Sequence, residues 1–274
     1  MKRFGYSTIL LCHLTLSLLI IKSEVIAASR KDKIIVAGRA VLQNEGSFQA
    51  AIIYKQNLTC SGSLLKSHVV LTSASCVRNF DLSKVKVRSG SNAFKKGGQL
   101  RSVQQIVMHP LYQSGEHSHN IALLKLNRTF NLTSPNIDMV QLPTPKQSEL
   151  PSSLFIYGWG ISSLNVNGSL SKYLRVSKYK VYSNTKCLRY LPENDKHNNQ
   201  PPFCVGDRSK HFDICNDDSG GPAVDQNKTQ YGVVSHGGKC FPEDIIILTN
   251  IIPHLPWIRD VLQSWNEQHN FVYK

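Results

Sequence analysis

Ser219 sits in Cys215-Asn216-Asp217-Asp218-Ser219-Gly220-Gly221-Pro222, a hydroxyl beside an acid and ahead of two glycines and a proline. A serine attacks only when a base takes its proton; most often a histidine is that base and a buried carboxylate orients it. The chemistry within reach is therefore nucleophilic catalysis, provided that the rest of the chain supplies an imidazole and a second carboxylate. The chain has ten histidines, so the question is whether one stands in the right place.

The elements that must position such a group read as β-structure. From Phe48 onwards short stretches alternate apolar and polar residues, as in Val85-Lys86-Val87-Arg88, the pattern of strands with two unlike faces. Clusters such as Ser89-Gly90-Ser91-Asn92 and Lys96-Gly97-Gly98 break them. Periodicity alone supports an all-β sandwich or barrel. The end of the chain differs: Leu255, Ile258, Leu262 and Trp265, with Trp257 and Val261, recur at helical spacing after Pro253 and Pro256, which predicts an amphipathic helix over about 254–266. The proline-rich stretch from Leu142-Pro143-Thr144-Pro145 to Leu150-Pro151 reads as a join between two halves.

The 274 residues, 41% of them hydrophobic, are ample for a buried core. Residues 1–27 read as a signal peptide: Lys2 and Arg3 lead into a 13-residue run, Ile9 to Ile21, and Val25-Ile26-Ala27 ends small. That run is too short to span a bilayer comfortably, and no second one of membrane length follows, so secretion into an extracellular fluid is expected. Cys12 falls in the signal; the six other cysteines, Cys60, Cys76, Cys187, Cys204, Cys215 and Cys240, are even in number, as in a disulfide-bonded extracellular chain. Their spacing fits no zinc finger, and fifteen pairings are open to them. Sequons at Asn57, Asn127, Asn131, Asn167 and Asn227 are candidate glycosylation sites. The net charge is +14, of which about +12 remains beyond residue 27. The basic residues are spread out, which reads as a solvated surface or as affinity for polyanions such as sulfated glycans, with no specific nucleic-acid signal.

Several motifs together resemble the trypsin-like (chymotrypsin-fold) serine endopeptidases. Besides the Ser219 loop they are Cys60-Ser61-Gly62-Ser63-Leu64, His109-Pro110-Leu111-Tyr112, Tyr157-Gly158-Trp159-Gly160 and Phe203-Cys204-Val205-Gly206. The resemblance runs from Ile35 to about Leu262. It implies an all-β fold of two antiparallel β-barrels, over about 35–143 and 152–252, closed by the terminal helix, with residues 28–34 a short basic pro-segment and 267–274 a tail. It also implies three bridges: Cys60–Cys76, Cys187–Cys204 and Cys215–Cys240.

Set against this family, the catalytic positions depart from its pattern. Leu71-Thr72-Ser73-Ala74-Ser75-Cys76 puts Ser75 where the family has its histidine, and Asn120-Ile121-Ala122-Leu123-Leu124 puts Asn120 where it has its aspartate. A serine hydroxyl is no general base near neutral pH, and an amide neither selects the useful imidazole tautomer nor stabilises an imidazolium. Ser219 is retained. Asp217 replaces the glycine whose amide donates to the oxyanion, placing a carboxylate against developing negative charge. Asp213 matches the acid of Lys/Arg-specific pockets, within a wall of Ser235, His236 and Gly237 in which His236 replaces a tryptophan. Ile246 stands where a glycine keeps the pocket mouth open, either remodelling the cleft or marking drift. The resemblance also pairs the terminus created at Ile35 with Asp218, but Ile34 precedes Ile35, so a cut after Lys33 leaves one residue too many.

Among the other histidines, His68, His117 and His119 are the candidates for a substitute base, with a loop or surface role as the ordinary alternative. His117 and His119 could also bind a metal together, but the sequence offers no third ligand, so none is assigned, nor any cofactor. The chain is thus expected to be a secreted, catalytically inactive serine protease homologue that acts by binding, as cofactor, decoy or scaffold for an active protease or another extracellular protein in immune or seminal fluid. The alternatives are an active trypsin-like endopeptidase with an unusual base and a glycan-binding basic protein.

Overall fold

The computed structural model describes residues 38–144, 147, 149–160, 170–206, 218–235 and 245–270, with the backbone alone for 267–270. Ile35, Asp213, Asp217, His236, Gly237, Asn167, the Cys215–Cys240 bridge and the signal segment lie outside those residues.

Six strands close into a first barrel: β2 (Gln49–Tyr54), β3 (Asn57–Lys66), β4 (Val69–Thr72), β5 (Val85–Ser89), β6 (Gln99–Met108) and β7 (Ala122–Leu126), in the order β2-β3-β4-β7-β6-β5. Alternation explains its interior. On β5 the valines Val85 and Val87 are buried while Lys86 faces out, and they meet Ala50, Ile52, Leu64, Val70, Ala122 and Leu124 in one apolar cluster. Burying a side chain of that size contributes roughly 1.5–3 kcal/mol, so the barrel is held from inside.

The second barrel is built from β8 (Ser153–Gly158), β9 (Arg175–Val181), β10 (Phe203–Gly206), β11 (Pro222–Val224), β12 (Gln230–Val234) and β13 (Ile245–Asn250). Their order is β9-β10-β13-β12-β11-β8; β8 pairs back to β9 and closes the ring, and β1 (Arg39–Ala40) adds an edge to β9. Among the described residues, three short α-helices punctuate the connections: α1 (Ala74–Val77), α2 (Asn184–Cys187) and α3 (Glu193–Lys196). The terminal helix α4 runs Leu255–Asn270, four residues past the expected end. Its Ile258 and Trp265 are buried, and Leu255, Trp257, Val261 and Leu262 pack beside them, so the apolar stripe serves docking on the chain's own barrels. No described helix is long and apolar enough to cross a membrane.

Two of the expected bridges are formed, Cys60–Cys76 and Cys187–Cys204. The first ties α1 to β3 and borders the cleft described next; the second ties α2 to β10. Asn57, Asn127, Asn131 and Asn227 are all exposed.

Candidate functional site

The ends of four elements converge. Ser75 is on α1, directly after β4; Asn120 leads into β7, which pairs with β4 through Thr72 and Ala122. Ser219 precedes β11, and Ser235 follows β12. Their proximity therefore follows from antiparallel pairing within each barrel. The cleft they share is about 470 Å³ and is also lined by Arg78, Tyr112, Glu116 and His117.

Ser219 is held by its backbone. Its carbonyl accepts from Ser61 N at 2.9 Å, and the next residue, Gly220, has φ +82 and donates to Val234 O. A β-carbon on Gly220 would come within 2.1 Å of Thr72 Oγ1 and 2.4 Å of the Ser61 carbonyl; both the backbone angle and the close approach therefore require glycine. Asp218, 1% exposed, accepts from Gly160 N at 2.9 Å. The loop retains an ordered serine.

Around Ser75 the hydrogen bonds are those of an amide and a hydroxyl. Asn120 Oδ1 accepts from Ser75 N at 2.8 Å, and Asn120 Nδ2 donates to Ser75 Oγ, to Ser235 Oγ at 2.8 Å and to the Ser235 carbonyl. An amide oxygen facing an N–H and an amide nitrogen facing a carbonyl fix the side-chain orientation. Asn120 is 2% exposed, so this network is an internal brace. At neutral pH, Asn120→Asp should set a carboxylate oxygen against the Ser235 carbonyl and cost about 1–3 kcal/mol. Burial and that facing lone pair raise the new carboxyl's folded pKa above its unfolded value, so the deficit should be full above the folded pKa and shrink as pH falls through it, when an O–H replaces the lost N–H. Melting temperatures of variant and parent, compared between neutral pH and about pH 5, check the sign.

His117 is the one candidate imidazole lining this cleft among the described residues. Its Nδ1 lies 3.0 Å from Ser235 Oγ. That hydroxyl accepts from Asn120 Nδ2 and keeps a second lone pair and its own proton, so it can pair with either tautomer of His117. In a serine-attacking triad the base gives Nδ1–H to a carboxylate and keeps a lone pair on Nε2; here Nδ1 faces a hydroxyl instead. His68 lies between β3 and β4, at the end of β4 remote from Ser75.

Sequence reasoning missed Asp195. This carboxylate on α3 is fully buried and accepts from His117 N, Ser118 N and Ser118 Oγ, the last at 2.5 Å. His117, Ser118 and Asp195 are thus neighbours, yet no imidazole stands between hydroxyl and carboxylate: the serine binds the acid directly, and His117 contributes its backbone. With Ser118 also fully buried, the group is a clamp that holds the 117–120 loop, assisted by Thr249 Oγ1 donating to the carbonyls of His117 and Asn120. No sequence signal marks Asp195; its partners are 77 and 78 residues away.

The pairing of His117 with His119 does not form. His117 turns toward Ser235, whereas His119, with φ +56, turns its ring to His254 and His109. Residues two apart on extended backbone share a side; the left-handed angle at His119 breaks that pattern, so the third ligand that the sequence lacked lies with His119 alone.

Ile246 is 6% exposed and belongs to the apolar cluster of Val205, Val234 and Leu248. Ser235, fully buried, serves the Asn120 brace.

A family model described as Trypsin matches residues 35–258. Mouse Kallikrein-8 is 31% identical over 243 residues, 84% of this chain and 87% of its own length. Trypsin-3 of Salmo salar is 31% identical, covering 85% and 95%, and human Kallikrein-15 is 30% identical, covering 91% and 98%. Among solved structures, neuropsin, a serine protease expressed in the limbic system of mouse brain, superposes with a TM-score of 0.71 at 29% identity, over 82% of this chain and 98% of that one. Two closed antiparallel barrels, a cleft at their strand ends with Ser219 in it, and relatives aligned over most of both chains place this protein in the trypsin family of serine proteases.

Proposed function

We propose that this chain is a secreted, catalytically inert member of its family that acts by binding, as a cofactor, decoy or scaffold for an extracellular protein such as an active protease. The observation that carries this is the Ser75–Asn120–Ser235 network: where an imidazole and a carboxylate would relay the proton of Ser219, a hydroxyl and an amide satisfy one another. Neither partner has a basic form near neutral pH. The burial of Ile246 among Val234 and Leu248 supports a filled specificity pocket, and in the sequence Asp217 replaces the glycine of the oxyanion position. The leading apolar run, the two disulfides and the exposed sequons support secretion and glycosylation. The test is labelling of the purified protein by a serine-directed fluorophosphonate, with Ser219→Ala and His117→Ala as controls. No Ser219-dependent label is expected.

His117 favours one rival, an endopeptidase with an unusual base, because it lines the same cleft as Ser219. A label lost in both Ser219→Ala and His117→Ala would establish that rival and overturn inertness. A second surface supports polyanion binding alongside the main role. Lys55, Lys84, Lys86, Arg88 and Lys95 line a hollow of about 830 Å³ on the first barrel. Retention on a sulfated-glycan column should fall steeply between low and physiological salt, since screening weakens exposed charge, and should drop further in Lys86→Ala/Lys95→Ala; salt-independent retention speaks against it.

A further inference from the structure

Three histidines from distant parts of the chain meet beside the cleft. His109 follows β6, His119 lies in the loop before β7, and His254 ends the short turn that leads into α4. One ring nitrogen of each lies within 4.8 Å of the others. We propose that His109, His119 and His254 form a binding site for a zinc-like transition-metal ion, with solvent free to take the fourth position.

The geometry is closest to complete between His119 and His254. His119 Nδ1 stands 3.1 Å from His254 Nε2. Two nitrogens bound tetrahedrally to one zinc at 2.0–2.1 Å are themselves about 3.3 Å apart, so this pair already has the spacing of two ligands on one ion. The outer partner of His254 is in place as well. His254 Nδ1 donates to the Asn250 carbonyl at 2.6 Å, which fixes the tautomer with the Nε2 lone pair turned inward, the support that metal-ligating histidines usually have. The side chain of Asn198 lies 3.4 Å from His119 Nε2. When a metal takes His119 Nδ1, the proton of that ring moves to Nε2; Asn198 Oδ1 accepts from Gln200 N at 2.8 Å, so Asn198 must turn its Nδ2 away from the ring to admit that proton. The ring stays neutral, and no net proton is released.

His109 supplies the third nitrogen. Its ring stacks on His119 at 4.8 Å and meets Trp257 edge-on at 5.0 Å. It must tilt inward to join the other two, and its partial exposure leaves room for that. His119 and His254 are 5% and 1% exposed, so the ion would be shielded on the protein side. Burial, with the neighbouring imidazoles, lowers His109 and His254 to about 4, and burial lowers His119 too. All three rings are therefore neutral, with a lone pair to give, at neutral pH. Their softness suits zinc, copper, nickel or cobalt, whereas calcium and magnesium require oxygen ligands. His119 is held at φ +56, an uncommon backbone angle for any residue but glycine, and it is bonded to Asn120. An ion here would thus pin the loop that forms one wall of the cleft to the turn that begins α4.

The experiment uses the full secreted protein, freed of metal by a chelator. Zinc uptake by calorimetry and the visible absorption of cobalt should show one ion per chain in a tetrahedral site, with calcium giving neither signal. Zinc should raise the melting temperature. His109→Gln, the least buried of the three, should weaken zinc binding about 100-fold, the upper end of the range seen for changes around a metal ligand. Near-UV circular dichroism confirms that each variant is folded. Absence of stoichiometric zinc uptake, or uptake of equal affinity in His109→Gln and His254→Gln, overturns the proposal.

Discussion

Peptide substrates are expected to be turned over by this protein about 10⁶-fold more slowly than by a trypsin-family enzyme with its triad intact, and Ser219→Ala should leave the residual rate unchanged. The magnitude follows from triad cooperativity: removing the base alone costs about as much as removing all three members, because the serine is then an ordinary alcohol. The proposed inertness rests on the partners of Ser219. Ser75 and Asn120 bond to each other and to Ser235, and His117 Nδ1 faces the Ser235 hydroxyl where the orienting group of a triad would be a carboxylate. Restoring both partners by Ser75→His with Asn120→Asp tests how deep the loss goes. If Asp217 takes the oxyanion position that the resemblance gives it, and with Ile246 buried in the apolar cluster of Val234, that double variant should gain little turnover on Lys or Arg substrates. Recovery to within about tenfold of an intact enzyme would show that the cleft was otherwise preserved, and the proposed filling of the pocket would then be wrong.

The catalytic positions were legible in the sequence because they sit inside short motifs whose spacing survives: Ser75 beside Cys76, Asn120 ahead of an apolar strand, Ser219 ahead of two glycines. The barrels were legible for a related reason, since period-two alternation such as that of β5 records which face is buried. What the sequence hid is long-range. Asp195 is one acid in a polar segment between two cysteines, and only folding brings it to the amides of His117 and Ser118. His254 reads as part of a helix start, yet its ring meets His119, 135 residues away. The false partnership of His117 with His119 had the same origin: adjacency along the chain says nothing about direction, and the left-handed turn at His119 sends the two rings apart.

Asp195→Ala should be the most damaging single change outside the barrel interiors, destabilising the protein by about 3–5 kcal/mol, since three buried donors lose their acceptor at roughly 1–3 kcal/mol each, less than additively. The carboxylate has no exposure and accepts from two backbone amides and one hydroxyl. Truncation leaves those donors buried without an acceptor, and each such loss is costly because water cannot replace the lost oxygen. For a chain of this size the melting temperature should fall by roughly 10 °C. The effect should reach the cleft, because the amides concerned belong to the loop that ends in Asn120; His117 and Asn120 resonances in an NMR spectrum should shift or broaden. Asp195→Asn should be milder, since an amide oxygen in the Oδ1 position can still accept from Ser118 N, Ser118 Oγ and His117 N, which leaves only the NH2 in the Oδ2 position against His117 N. Glu193→Ala is the control: on the same short helix, it pairs with Lys196 and His197 from a side chain 70% exposed, and exposed pairs of that kind contribute little, so its melting temperature should match the parent's. Equal stability of Asp195→Ala and Glu193→Ala would mean that the clamp holds nothing, and the assignment of Asp195 as the anchor of the cleft wall would fall.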